Sequence, residues 1–234
     1  MCLPEDYSKA LQFNSIIRFL HSIRYKNLKK ICREHFTNEK ITVFEIGAGI
    51  GKTYEVLNEA FSIEYYGIES VPSWYLDLHK KHDNKKNFIL FQGDVYEFDY
   101  TLLPDINLIV ALETFEHIHA SRIQKILNDL KKLNARHYFF SVPAEIGPSI
   151  LIKNIASFLM GYNRHEEYTW RETFLASMYR LDLIPKHSGG HLGFDWRSFY
   201  STLQHNFDRV TLIHSPFALI PSFAATSIQF LCTL

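Results

Sequence analysis

The residues Val43-Phe44-Glu45-Ile46-Gly47-Ala48-Gly49-Ile50-Gly51-Lys52-Thr53 run from a buried-strand pattern through a glycine turn into a helix. Glycine is required where a ligand must lie against the backbone, or where a tight turn demands positive φ. Glu69 ends the run Tyr65-Tyr66-Gly67-Ile68-Glu69 about 20 residues after the turn, where a carboxylate can accept both hydroxyl protons of a ribose. Asp94 ends Phe88-Ile89-Leu90-Phe91-Gln92-Gly93-Asp94, and an acceptor there can take a proton from an adenine amino group. Either acid alone serves equally well as a helix cap. The ordered set of turn, Glu69 and Asp94 favours a nucleoside-bearing ligand.

A second group has acid–base character. Glu113, Glu116 and His117 follow the strand-like run Leu108 to Leu112, and in an open α/β sheet the chemistry lies beyond the carboxyl ends of the strands. His117 is the first candidate general base, because imidazole titrates near neutral pH; it serves equally as a histidine that holds the loop through backbone hydrogen bonds. His119 belongs on the solvated start of the next helix. In Gly189-Gly190-His191-Leu192-Gly193-Phe194-Asp195-Trp196-Arg197, His191 is the second candidate, Asp195 caps a helix, and Trp196 and Phe199 read as core. Glu145, in the loop after Val142-Pro143, reads as a solvated acid in preference to a substrate contact. Tyr162, His165, Tyr168 and Trp170 suit sugars, lipid headgroups or aromatic acceptors alike.

These residues need a scaffold, and the chain supplies an alternating one. Strands are expected at Ile41 to Ile46, Glu64 to Ile68, Phe88 to Gln92, Leu108 to Leu112 and His137 to Val142. Between them fall helices at Thr53 to Phe61, Ser73 to His82 and Ser121 to Leu133, with Ser73 and Ser121 as N-caps. Alternation of this kind implies a parallel sheet with crossover helices. Helical periodicity from Tyr7 to Phe36 precedes the sheet, and two apolar-periodic stretches, Ile150 to Met160 and Trp170 to Leu181, form an insertion after the fifth strand. A helix over Phe194 to Phe207 leads into a last strand pair, Val210 to His214 and Ser227 to Leu231.

The glycine turn, Glu69, Asp94, the segment Asn107 to Ile118 and the closing strand pair together resemble the class I methyltransferases that use S-adenosylmethionine (SAM). The resemblance runs from about Ile41 to the end. It implies an α/β, Rossmann-like, seven-stranded and mostly parallel sheet with an antiparallel last strand and helices on both faces. It further implies that Glu45, Gly47, Ala48, Gly49 and Gly51 border the methionine and ribose of SAM, that Glu69, with Ser70 beside it, holds the ribose, and that Asp94 and Val95 hold adenine. Glu113 joins the cofactor set. Some relatives hold a divalent metal at the place of Glu113, Glu116 and His117; no metal is expected as the default. Methyl transfer to a hydroxyl or amine of a small molecule or glycan precursor follows, with a non-catalytic binding protein of the same fold as the alternative. A nicotinamide-type fingerprint is excluded because Lys52 occupies its sixth position, and a phosphate-binding loop because Ile46 stands where its first glycine belongs.

Composition narrows the partners. The 234 residues include 25 Lys plus Arg against 25 Asp plus Glu, so net charge is zero and nucleic acid is not expected as the main partner. Three cysteines, Cys2, Cys32 and Cys232, have no ligand spacing, and the first residues lack the order of a secretory leader, so a cytoplasmic protein is expected. Val210 to Leu234 carries no Lys, Arg, Asp or Glu and is long enough to cross a bilayer, but Pro216, Pro221 and its polar residues make it a strand pair. The domain reading is a helical segment over 1–40 and a SAM-binding domain over 41–234 with a lid near 143–190.

Overall fold

The computed structural model describes residues 15–159, 169–185, 191–217 and 219–234. Seven strands form one sheet in the order β3-β2-β1-β4-β5-β7-β6. They are β1 (Ile41–Ile46), β2 (Ile63–Glu69), β3 (Phe88–Gln92), β4 (Leu108–Leu112), β5 (His137–Pro143), β6 (Arg209–Ser215) and β7 (Ser227–Thr233). The helices are α1 (Ser15–His35), α2 (Lys52–Asn58), α3 (Pro72–His82), α4 (Ala120–Lys132), α5 (Pro148–Leu159), α6 (Trp170–Ser177) and α7 (Trp196–Asn206). By contacts the chain divides into two compact units, one of Met1–Leu112 with Asn128–Phe139 and Leu234, the other of Glu113–Leu127 with Phe140–Thr233.

In the first unit β1 pairs in parallel with both β2 and β4, and β2 pairs in parallel with β3. β1 and β4 are almost wholly buried, which is why they read as continuous apolar runs instead of alternating ones. β3 is the edge strand, and Ile89 and Gln92 on it are exposed. The register sets Glu45 opposite Gly67. A Cβ at Gly67 would stand 2.9 Å from the Tyr65 ring, so the missing side chain leaves room for that ring to lie along the strand. In α1, Ile23, Leu28 and Ile31, which fall within the helical periodicity from Tyr7 to Phe36, are buried.

α3 begins one residue earlier than its sequence signal. Val71 is the N-cap and Pro72 takes the first turn, so Ser73 lies inside the helix and does not cap it. Proline is preorganised there and gives up an N–H that has no helical partner. Likewise α4 starts at Ala120, and the Ser121 N–H donates to Nδ1 of the exposed His119 at 3.3 Å, so Ser121 is not the cap either.

The second unit holds the insertion and the closing hairpin. β6 and β7 pair antiparallel from Arg209↔Thr233 to Ser215↔Ser227, which makes the uncharged carboxyl-terminal stretch a strand pair. No helix among the described residues is long and apolar enough to cross a membrane. Ile150 of α5, Ala176 of α6 and Ile184 form a small buried cluster, and the buried Asn154 of α5 donates to Thr173 of α6 at 2.6 Å. Thr169 and Glu172 close a capping box at the start of α6. Asp195 caps α7 by accepting the Arg197 N–H, while Trp196 and Phe199 are core, all three as expected. Tyr162, His165, Tyr168, Gly189, Gly190 and Cys2 lie outside the described residues.

Candidate active site

The turn after β1 is built on left-handed glycines: Gly47, Gly49 and Gly51 have φ of 73°, 54° and 76°. The N–H groups of Gly47 and Ala48 both donate to the Ile68 carbonyl at the end of β2, at 2.9 and 3.1 Å. Glu69, one residue on, is buried and uses both carboxylate oxygens on backbone: Oε2 accepts the Gly49 N–H at 2.8 Å and Oε1 accepts the Val71 N–H at 2.9 Å. The turn is thereby fastened to the carboxyl end of the neighbouring strand. A Cβ on Gly49 would stand 3.3 Å from Cζ3 of Trp74, and one on Gly51 would run into Leu78. The glycines by their type suit close approach of a ligand; within the chain it is α3 that comes near them.

Glu45 is placed inward. It is 3% exposed, Thr53 donates to its Oε1 at 2.5 Å, and the Tyr65 hydroxyl donates to its Oε2. Burial pushes its carboxyl up to about 8, with the two hydroxyl donors pulling the other way. The same burial and the adjacent carboxyl push the Tyr65 phenol well above its ordinary value. Asp94 is exposed and accepts the Tyr96 N–H at 2.9 Å, the Asx geometry of a local cap. Val95 is buried and its carbonyl accepts the Tyr100 hydroxyl, while Ser70 is exposed. Glu69 pairs with Gln92, so Ser70 and Asp94 follow two adjacent strand ends. A cleft of about 460 Å³ lined by Phe36, Lys40, Phe61 and Ser62 lies at the other end of these strands and takes no part in this arrangement.

In the second unit Glu113 follows β4 with a left-handed φ of 53°. A non-glycine residue held there is a common feature of functional loops. Its N–H donates to the Ser141 carbonyl at 2.9 Å, and its Oε1 accepts the hydroxyls of Ser141 at 3.1 Å and Ser227 at 3.0 Å. The 3-10 turn Phe115–His117 comes next. Glu116 is fully buried, whereas the His117 side chain is 57% exposed, with Nε2 3.9 Å from a Glu116 oxygen. The His117 and His191 rings meet edge to face at 5.2 Å.

Glu116, His117 and His191 each present one donor atom, and these atoms lie within 4.8 Å of one another. One carboxylate and two imidazoles suit a divalent transition metal. The metal-like group expected from resemblance had Glu113 in it; here two serine hydroxyls hold Glu113 and His191 completes the set. Glu145 also differs from expectation. It is 1% exposed instead of solvated, with Lys153 Nζ at 3.5 Å and His191 Nδ1 at 3.8 Å from its Oε1. Lys153 also donates to the Ala144 carbonyl at 3.1 Å. Trp74, Lys153 and Ser227 were not singled out from sequence, because each reaches its neighbours only through tertiary packing; no local motif marks them.

No protein-family profile matches the chain. It is 27% identical over 147 residues, 62% of its length, to ribosomal RNA small subunit methyltransferase A of Persephonella marina (strain DSM 14350 / EX-H1), and the match spans 51% of that relative. Among solved structures it is similar to the methyltransferase domain of bacterial CtHen1-CN, with TM-score 0.63 and 14% identity over 92% of this chain and 100% of that one. It is also similar to the N-terminal domain of EvdMO1 in the presence of SAH and D-fucose, with TM-score 0.58 and 13% identity over 90% and 82%. A third is magnesium protoporphyrin IX methyltransferase (ChlM) from Synechocystis PCC 6803 with bound SAH, with TM-score 0.55 and 10% identity over 94% and 87%. Sheet order, glycine turn and these likenesses agree: the chain has the class I, Rossmann-like fold of the SAM-dependent methyltransferases.

Proposed function

We propose that the chain is a SAM-dependent methyltransferase acting on a hydroxyl or amine of a small molecule or glycan precursor. The observation that carries the reading is the glycine turn fastened by Glu69, with backbone N–H groups and a buried carboxylate gathered at the ends of β1 and β2. In this reading Gly47, Ala48, Gly49 and Gly51 line the methionine and ribose, Glu69 and Ser70 the ribose hydroxyls, and Asp94 and Val95 the adenine. Glu45 acts through Thr53 and Tyr65, holding the base of the turn.

Methyl transfer from a sulfonium is an in-line displacement, so the protein must orient the acceptor and, for a hydroxyl, take its proton. His117 and His191 are the bases assigned to that proton, with Glu116 stabilising the imidazolium that forms. The same three side chains support a second reading in which they hold a divalent metal, which when bound would lower the pKa of an acceptor hydroxyl. Zero net charge and the sugar present with EvdMO1 favour a small or glycan acceptor. The name of the Persephonella relative keeps an RNA acceptor as the competing substrate. The buried thiols of Cys32 and Cys232, free and raised in pKa by burial, fit a reducing, cytoplasmic setting.

Calorimetry with SAM and SAH, followed by an acceptor screen that detects SAH release, tests the proposal. Micromolar affinity and turnover with a sugar or small-molecule hydroxyl or amine are expected. Absence of heat with both ligands overturns it, and binding without turnover on any acceptor leaves the non-catalytic binding protein in its place.

A further inference from the structure

His191 stands on a turn before α7, with Gly193 left-handed at φ 73° and the Phe194 N–H donating to the His191 carbonyl at 3.2 Å. A histidine on such a turn keeps one orientation only if a fixed neighbour locks it. Glu145 is that neighbour: its Oε1 lies 3.8 Å from His191 Nδ1, and both the carboxylate and Nδ1 are buried. The loop that carries Glu145 is itself fastened on several sides. The Ala144 N–H donates to the Thr226 carbonyl at 3.2 Å and the Gly147 N–H to the Ala176 carbonyl at 3.0 Å, while the Ser149 hydroxyl donates to the Ile146 carbonyl at 3.3 Å. Tyr179 closes it, because a Cβ on the left-handed Gly147 would stand 2.5 Å from the Tyr179 hydroxyl. Lys153 Nζ, 3.5 Å from Glu145 Oε1 and 3.1 Å from the Ala144 carbonyl, ties the carboxylate to its own loop. The carboxylate is thus the fixed point and the imidazole the part to be set.

Resting on the role given to His191 above, we propose that Glu145 is a positioning residue: its carboxylate holds the proton on His191 Nδ1 and leaves the Nε2 lone pair for the reacting group. A carboxylate facing one ring nitrogen fixes tautomer and orientation together. Both readings of the site need that lone pair, since a base takes the acceptor proton on it and a ligand gives it to a metal. The 3.8 Å separation is longer than a hydrogen bond, and contacts of this kind commonly tighten in the reacting complex. The His117 ring, edge to face with His191, stands beside the imidazole that Glu145 sets.

The test reads the tautomer directly, by proton–nitrogen correlation spectra of the imidazoles in the labelled full chain, in mildly alkaline solution where imidazole is neutral. The His191 signals are those missing from H191A. Wild type, K153M and E145Q, which keeps an acceptor oxygen, are expected to show His191 protonated on Nδ1. E145M/K153M removes both charges so that neither is left alone, and it should lose that preference; E145A gives the same reading if the double variant does not fold. His191 protonated on Nε2 in the wild type, or still held on Nδ1 in E145M/K153M, overturns the proposal. A Glu145 that only supports its loop would move the melting temperature and leave the tautomer alone. With an acceptor from the screen above, E145M/K153M should lower kcat by about 10–100-fold with SAM affinity kept, and a wild-type kcat in that variant overturns the proposal as well. A wild-type kcat in H191A takes down the role of His191 itself, whatever its tautomer, whereas a failed tautomer result leaves the methyltransferase reading standing.

Discussion

Glu69 accepts the N–H of Gly49 at 2.8 Å, so the acid at the end of β2 holds the middle glycine of the turn after β1. With Val71 N–H on its other oxygen, the side chain sets the shape of the turn whether or not a ribose is present. E69A should therefore cost stability as well as affinity: about 2 kcal/mol for two charge-assisted bonds lost in a buried place, together with a large fall in SAM affinity. Chemical denaturation and calorimetry on the same variant measure both, and an affinity loss with unchanged stability would show that the two bonds are incidental.

Adding a methyl group at Gly49 forces positive φ on alanine and presses it on Trp74. G49A is expected to lose about 1–2 kcal/mol from backbone strain, and W74A in the same chain to relieve only the steric part. G51A meets Leu78 instead and should be the more destabilising of the two. Thermal melts of the two singles and the G49A/W74A double decide whether the steric component exists.

Glu45 makes stability fall with pH. Its carboxyl is held up to about 8 when folded against an ordinary 4.5, so from pH 4.5 to about 8 the unfolded chain has released a proton that the folded chain keeps. This group's stabilisation is complete below 4.5 and declines by about 1.4 kcal/mol per pH unit across that window. His137 has the opposite sign: burial lowers it to about 4, so its contribution is lost as pH falls from 6.5 towards 4. E45Q leaves His137 in place, so the difference between the wild-type and E45Q stability curves isolates Glu45. Parallel curves between pH 5 and 8 would refute the assignment.

The buried Glu145 and Lys153 should behave as a pair. K153M removes the ammonium from beside a carboxylate that is 1% exposed and is expected to cost about 2 kcal/mol, discounted because the pair is 3.5 Å apart and Lys153 keeps some solvent contact. E145Q added to K153M should recover part of that loss. A double mutant equal to the sum of the singles would mean that the two charges are uncoupled.

His117 and His191 separate binding from transfer. H117A and H191A should each lower kcat by on the order of 10²–10⁴ if the histidine takes the acceptor proton, with SAM affinity unchanged because neither belongs to the glycine turn. Metal content by elemental analysis on wild type and H191A distinguishes a base from a ligand: a stoichiometric divalent metal lost in H191A supports the second reading. Unchanged turnover in both variants removes the two histidines from the mechanism.

Strand and helix positions were legible in the chain because they depend on local periodicity. The apolar runs Val43 to Ile46 and Leu108 to Leu112 are buried on both faces, and the stretch without charges resolves into two strands around Pro216 and Pro221. The glycine turn and Glu69 were legible for the same reason: a 20-residue spacing across one strand–helix–strand unit is set by the lengths of those elements. Helix starts were less so, since Pro72 and His119 took over the ends from Ser73 and Ser121 through competition within a single turn.

What only the tertiary structure decided is which groups share a desolvated place. Glu145 is a loop acid by sequence, and packing buries it beside Lys153 and His191. Glu113 has the position of a ligand, and hydroxyls from β5 and β7, 28 and 114 residues along the chain, take its carboxylate. Trp74 carries no motif and reaches Gly49 only because α3 folds back over the turn. Periodicity reports which face of an element is buried; which side chains then meet depends on contacts between residues far apart in the chain, where burial changes both pKa and the cost of an unmatched charge.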